Sequence, residues 1–252
     1  MTTAKSPKSL PTYPLPDTPF IPDEKMTVFD HLTITGSAHF LAQYLGNLDT
    51  TVMGGDRYLT TVLPAQLADM TGVPYPDMLV SFNAYPDVFR ARNGYVIAEQ
   101  GKPPDFVLEV ASESTGRRDA VDKRITYAAL DIPEYWRFDE TGAYHGARLA
   151  GDRLVGGQYE PILIDELPDG SLQGHSAILN VDVRWVDGHL VWYDPTSGEP
   201  VATFESLRQA FARESEALTR EREALNQERE ARIQAETRVR ELEDQIRRLR
   251  GE

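Results

Sequence analysis

The 252-residue chain contains no cysteine. That absence excludes disulfides and thiolate zinc sites, and it suits a reducing compartment. No window approaches about 18 consecutive apolar residues, the length of a membrane-spanning helix. The N-terminal stretch MTTAKSPKSLPTYPLPDTPF lacks the apolar run of a signal peptide. The expectation is a soluble, cytoplasmic protein. Basic residues are scarce: 26 Lys and Arg stand against 40 Asp and Glu, for a formal net charge of −14. From Val201 onward 11 basic residues nearly balance 12 acidic ones, so −13 belongs to the first 200 residues. A body this acidic repels nucleic acid at long range unless its cations are gathered on one face.

What is present falls into three parts. Residues 1–23 carry six prolines, which favour extended polyproline-like conformations and offer no stripe to bury; they read as a flexible arm. Residues 24–198 read as a mixed α/β domain. Phe40, Leu41, Tyr44, Leu45 and Leu48 recur at helical spacing after Ser37, a suitable N-cap. YLTTVL, YPDMLVSF (75–82), GYVIAEQ and PDFVLEVAS (104–112) read as strands. A helix over 118–130, capped by Ser114, Thr115 or Asp119, stops at Pro133 and returns to a strand, EYWRF. That helix carries two apolar stripes, Val121, Ile125 and Ala128 on one, Ala120, Tyr127 and Leu130 on the other. Lys123 falls on the second, one turn before Tyr127. Beyond Asp139 the glycine turns predict a β-meander extension, clearest where Asp187-Gly188 separates two alternating runs.

Residues 199–252 differ in kind. Phe204, Leu207, Phe211, Leu218, Leu225, Val239, Leu242, Ile246 and Leu249 fit the a and d positions of one heptad register, while Glu214, Glu221, Glu228 and Arg232 interrupt it. The pattern predicts a helix of roughly 70 Å, either self-associating as a coiled coil or solvated alone.

The chemistry centres on two carboxylates in PDFVLEVAS. An ionised carboxylate in a buried strand is costly unless something pairs with it or binds it. Asp105 and Glu109 share a face but lie about 13 Å apart along the strand, too far to grip one ion together. Glu109 therefore needs a partner from a neighbouring strand, and Asp77 of YPDMLV is the natural one. Two such carboxylates suit Mg²⁺, which favours oxygen ligands and keeps several waters. Lys123 could then polarise a phosphate oxygen or orient an attacking water; alternatively Glu109 forms a buried salt bridge with Lys123 or Arg124, and Asp77 caps a turn. The histidines at 31, 145, 175 and 189 show no ligand spacing.

The run PPDFVLEVASESTGRRDAVDKRITYAALDIPEYWRFD resembles the core of the Uma2 family (also called DUF820), restriction-endonuclease-like proteins of bacteria. The resemblance covers roughly 37–195 and implies the fold and the metal-dependent phosphodiesterase site of the PD-(D/E)xK nuclease superfamily, with DNA as substrate and Mg²⁺ or Mn²⁺ as cofactor. Under it Asp77 and Glu109 are the metal-binding acids and Lys123 the catalytic lysine, supplied from the helix because position 111 is alanine. Asp105 is a matched position, either a secondary ligand or a fastener of the turn entering the strand. His39 matches a histidine common in the family. The family's Tyr-Glu-Leu-Ile-Asp-Gly-Glu block is missing, and Arg137 stands where an apolar residue is common. The rival expectation is a nuclease-fold scaffold that binds protein partners through its coiled coil.

Overall fold

Strand-forming runs and turn residues set the order of elements in this computed structural model, which describes residues 14–19, 29–34, 37–67, 69–112, 116–202 and 204–250. The rest of the expected proline arm, and the expected caps Ser114 and Thr115, lie outside them. After a π-helical turn at Phe29–Ile34 come α1 (Ser37–Leu45), β1 (Val52–Gly54), β2 (Leu59–Thr60), β3 (Met78–Ser81), α2 (Pro86–Arg92) and β4 (Tyr95–Val96). There follow α3 (Ile97–Gln100), β5 (Phe106–Val110), α4 (Gly116–Ala129), β6 (Glu134–Phe138), β7 (Leu149–Val155) and β8 (Gln158–Pro161). The last elements are β9 (Asp165–Glu166), β10 (Leu172–Ser176), β11 (Val181–Val186), β12 (His189–Tyr193) and α5 (Phe204–Arg250).

A six-stranded sheet runs β1-β3-β5-β6-β7-β8, and only β5 and β6 are parallel within it. A parallel pair needs a crossover of a dozen or more residues, which α4 supplies. Its end is a Schellman closure: Ile132 N–H bonds Tyr127 O at 3.2 Å and Asp131 N–H bonds Ala128 O at 3.0 Å, with Asp131 at φ 56°. Ile132 is fully buried, so the turn that stops the helix also plants an apolar anchor before β6.

One face of the sheet, through Phe106, Leu108, Trp136 and Phe138, packs with α1 and with the antiparallel sheet β12-β11-β10-β9, through Val181, Val183, Leu190 and Trp192. The expected meander is thus a second sheet laid over the first. Its hairpin at Asp187-Gly188 has φ 48° and 84°, the two left-handed residues that a type I′ turn requires. The other face carries Val107, Leu79 and Tyr135, with Tyr127 of α4 packed on it. Both faces of β5 are therefore covered, and all five of its residues are buried. Each large apolar side chain so buried contributes about 1.5–3 kcal/mol.

Several expectations change. GYVIAEQ is a strand only at Tyr95–Val96; Ile97–Gln100 coils into one helical turn, which lets Glu99 pair with Arg92 and Gln100 Nε2 donate to Tyr85 O at 3.2 Å. YLTTVL shrinks to Leu59–Thr60, paired in parallel with Tyr95–Val96. The stripe of Val121 and Ile125 is exposed at 61% and 66%; only the Tyr127 stripe meets the core. Part of the proline arm is docked: Leu15 is buried, its N–H bonds Arg92 O at 2.7 Å, and Thr18 Oγ1 donates to Asp56 O at 3.1 Å.

The chain divides into two compact units, Met1–Thr203 and Phe204–Glu252, rather than after residue 198. Val201 belongs to the first, being buried with its N–H on Trp192 O at 2.8 Å. In the second, α5 runs 47 residues, and the seam residues Leu207, Phe211, Leu218, Leu225, Val239 and Leu242 are exposed. Exposed i,i+4 pairs such as Arg232–Glu236 (3.1 Å) line it. Among the described residues no helix is long and apolar enough to cross a membrane.

Candidate active site

Strand alternation puts Asp77 and Glu109 on one side of the sheet. Leu79 and Val107 pair across β3 and β5 and both lie in the core under α4. Two residues from each, on the same face, stand Asp77 and Glu109. The pairing ends at Met78 and Leu108; Asp77, in the bend just before β3, and Glu109 are the next residue of each segment. Both are buried, at 3% and 2% exposure. Asp77 Oδ2 accepts the Val110 N–H at 2.7 Å, which ties the aspartate to the end of β5. The main chain there is crowded: a Cβ on Gly55 would lie 1.9 Å from Asp77 O, so only glycine lets that loop close against the strand.

Glu109 is held from above by α4. Lys123 Nζ donates to Oε2 at 2.9 Å and the Tyr127 hydroxyl donates to Oε1 at 2.5 Å. The two donors are one turn apart, on the same helix face. Burial, with the Glu109 charge adding to it, pushes the Tyr127 hydroxyl well above its ordinary pKa, so it stays protonated and donates. Lys123 is partly open, at 24% side-chain exposure, while Glu109 is sealed.

Asp105 is not brought to this pair. It sits four residues earlier, where Lys102 Nζ (2.5 Å) and the Phe82 N–H (2.8 Å) both bind its Oδ2. These bonds tie the turn entering β5 to the end of β3. His39 is exposed on α1 and hydrogen-bonds Gln43 at 3.1 Å. It lines, with Asp56 and Asp77, a cavity of about 330 Å³ on the α1 side.

The neighbouring strand adds Tyr135 and Arg137, to which the sequence assigned no functional role. Arg137 is the register partner of Glu109 on β6. Its Nη2 donates to Asp152 Oδ2 at 2.7 Å, and Arg124 Nη2 reaches Oδ1 of the same carboxylate at 3.0 Å. Tyr135 is fully buried, its ring 5.2 Å from that of Tyr127. After β6, Asp139 shapes the loop: its carboxylate accepts the N–H groups of Thr141, Gly142, Tyr144 and His145 at 2.7–3.0 Å. Burial works against that charge, but the four N–H bonds outweigh it and hold the carboxyl below the ordinary aspartate range. The loop brings His145 near Glu109 and Lys123. Burial pushes its imidazole down to about 4, against the pull of Glu109 and Asp139, so it is neutral at pH 7.

The donor set fits a hard divalent cation. A carboxylate offers about four lone-pair sites, and Lys123 and Tyr127 occupy two on Glu109. Among the described residues no group of three or more His, Cys, Asp or Glu is arranged around one point; Mg²⁺ needs only one or two carboxylates beside its waters.

Residues 30–184 match the protein-family model Uma2, described as "putative restriction endonuclease". The chain belongs to the Uma2 family. The Uma2 match takes in Asp77, Glu109, Lys123, Arg137 and His145, and ends before α5. A crystal structure described as a "putative nuclease belonging to DUF820" from Anabaena variabilis ATCC 29413 is similar at 11% identity. It covers 60% of this chain and 75% of that one, with a TM-score of 0.36. No curated protein matches the chain.

Proposed function

We propose that the chain is a divalent-metal-dependent endonuclease that hydrolyses phosphodiester bonds in DNA. Membership of the Uma2 family supports a nuclease. The observation that supports the reading is that Asp77 Oδ2 accepts the N–H of Val110, the residue after Glu109, while Lys123 Nζ lies 2.9 Å from Glu109. Asp77 and Glu109 would hold Mg²⁺ or Mn²⁺, which when bound lowers the pKa of a water and stabilises charge on a phosphate oxygen. Tyr127 fixes the Glu109 carboxylate in orientation, and Lys123 neutralises the negative charge that develops on the phosphate. Asp105 would assist indirectly, by fastening the turn that carries β5 through its bonds from Lys102 and the Phe82 N–H.

Plasmid or single-stranded DNA incubated with the purified protein and Mg²⁺ or Mn²⁺ should be cleaved, and Glu109→Gln should leave it intact. Equal cleavage by both would trace the activity to a contaminant. A second reading, a nuclease-fold scaffold, is favoured by the acidic body and by the complete ion pair on Glu109. It requires inactivity across varied DNA and RNA substrates together with a stable protein partner in pull-downs.

The exposed apolar seam of α5 supports self-association as a coiled coil. Light scattering of a chain truncated after Thr203 should then report a single-chain mass, against a larger mass for the full chain. Identical masses would remove that role.

A further inference from the structure

Three polar atoms around Glu109 are sealed from water and make no hydrogen bond among the described residues: Tyr135 Oη, Arg137 Nε and His145 Nδ1. Most buried polar groups are paired, because an orphan forfeits its hydration without return. Three orphans together are unlike random leftovers. Tyr135 and Arg137 alternate onto the Glu109 face of β6, and Arg137 stands beside Glu109 in register. His145 is within electrostatic reach of Glu109, Arg137 and Lys123.

Each side chain is aimed by something else. Asp152 takes Arg137 Nη2, and the Arg137 guanidinium lies 5.3 Å from the Tyr135 ring centroid, which fixes the fork. The His145 main chain is tied to Asp139 at 2.7 Å, so its ring is presented by a loop built on one carboxylate. Arg137 can only donate, a neutral tyrosine hydroxyl donates, and imidazole Nδ1 donates in one tautomer. Unpaired donors on one strand and on the loop that follows it match a ligand rich in acceptor oxygens, and a phosphate is such a ligand.

We propose that Arg137, His145 and Tyr135 form a phosphate cradle beside the acid pair, binding a non-bridging oxygen of the nucleic-acid backbone. The choice of a polynucleotide as the source of that phosphate rests on the nuclease reading above. Arg137 keeps 18% of its side chain open, and the 140–148 loop has no regular helix or strand; binding requires that loop to shift and admit the ligand.

Binding without turnover tests it. Fluorescence anisotropy of a short labelled DNA duplex in metal-free buffer would compare the full chain with Tyr135→Phe, His145→Ala and Arg137→Gln. Each variant should weaken binding about tenfold, the effect of losing one hydrogen bond to a charged group. Arg137→Gln should also lower the salt dependence by about one counterion, whereas the two neutral donors should leave it unchanged. Tyr135→Phe should raise Tm, because it deletes an orphan and breaks no bond. A purely structural role predicts the opposite pattern, a lower Tm with the same Kd. Unchanged Kd in Tyr135→Phe and His145→Ala overturns the cradle, even if Arg137→Gln misfolds for want of its bond to Asp152; so does a full chain that binds no DNA. Cleavage by the full chain with normal binding by the variants sinks the cradle alone. Weakened binding in a chain that never cleaves keeps the cradle and sinks the nuclease.

Discussion

Lys123→Met is expected to reduce cleavage by about 10²–10³-fold while the fold persists, the usual cost of removing one positioned donor from a developing negative charge. Methionine keeps the length and apolar stem of lysine, so packing along α4 is little disturbed. Tyr127 continues to hold Glu109 Oε1, and Asp77 remains tied to Val110. The substitution does leave a carboxylate of 2% exposure with one partner fewer, so Tm falls as well. Lys123→Arg separates the two effects. If the amine serves only as a counter-ion, arginine restores both Tm and kcat. If its place beside the phosphate matters, arginine restores Tm and not kcat. Full activity in Lys123→Met, in steady-state nicking of supercoiled plasmid, would remove the lysine from the mechanism.

The largest stability effect is expected away from that chemistry, at Glu134. Its fully buried carboxylate accepts Ser176 Oγ at 2.6 Å, the N–H groups of Ala177 and Ile178 at 3.0 and 3.3 Å, and Trp136 Nε1 at 3.1 Å. It thereby ties the first strand after α4 to the turn between β10 and β11, one sheet to the other. Alanine would strand the buried donors of Ser176 and Trp136 and release the main-chain N–H groups of Ala177 and Ile178. The cost should be about 3–5 kcal/mol, as for removal of one member of a buried charged network. For a body of this size that corresponds to a fall in Tm of about 10 °C. Urea denaturation of Glu134→Ala would measure it; a loss under about 1 kcal/mol would mean that the carboxylate stabilises little.

These two residues mark what could be read from the chain in advance. Glu109 stood out because a charge in FVLEV breaks a buried strand, and Lys123 because it lies one turn from Tyr127 on a stripe that faces inward. Both signals are local. The β11–β12 hairpin was legible for the same reason, two left-handed residues between alternating runs. Glu134 gave no such signal, since three of its four partners, Ser176, Ala177 and Ile178, lie more than 40 residues onward. His145 was invisible as well: it reaches the site because Asp139 folds a loop around its own carboxylate, and nothing in histidine spacing records that. GYVIAEQ misled because its apolar alternation fits a strand, whereas the pairing of Glu99 with Arg92 rewards a helical turn. Local pattern identifies an element; partners distant in sequence decide what its polar residues do.

The loop pressed against β3 has a bearing on design. With 1.9 Å between a Gly55 Cβ and the Asp77 carbonyl, the acid pair cannot be transplanted as two strands and a helix alone. A graft onto another scaffold must bring the segment around Gly55 with it, bare of side chain, or the borrowed aspartate will settle out of line with its glutamate.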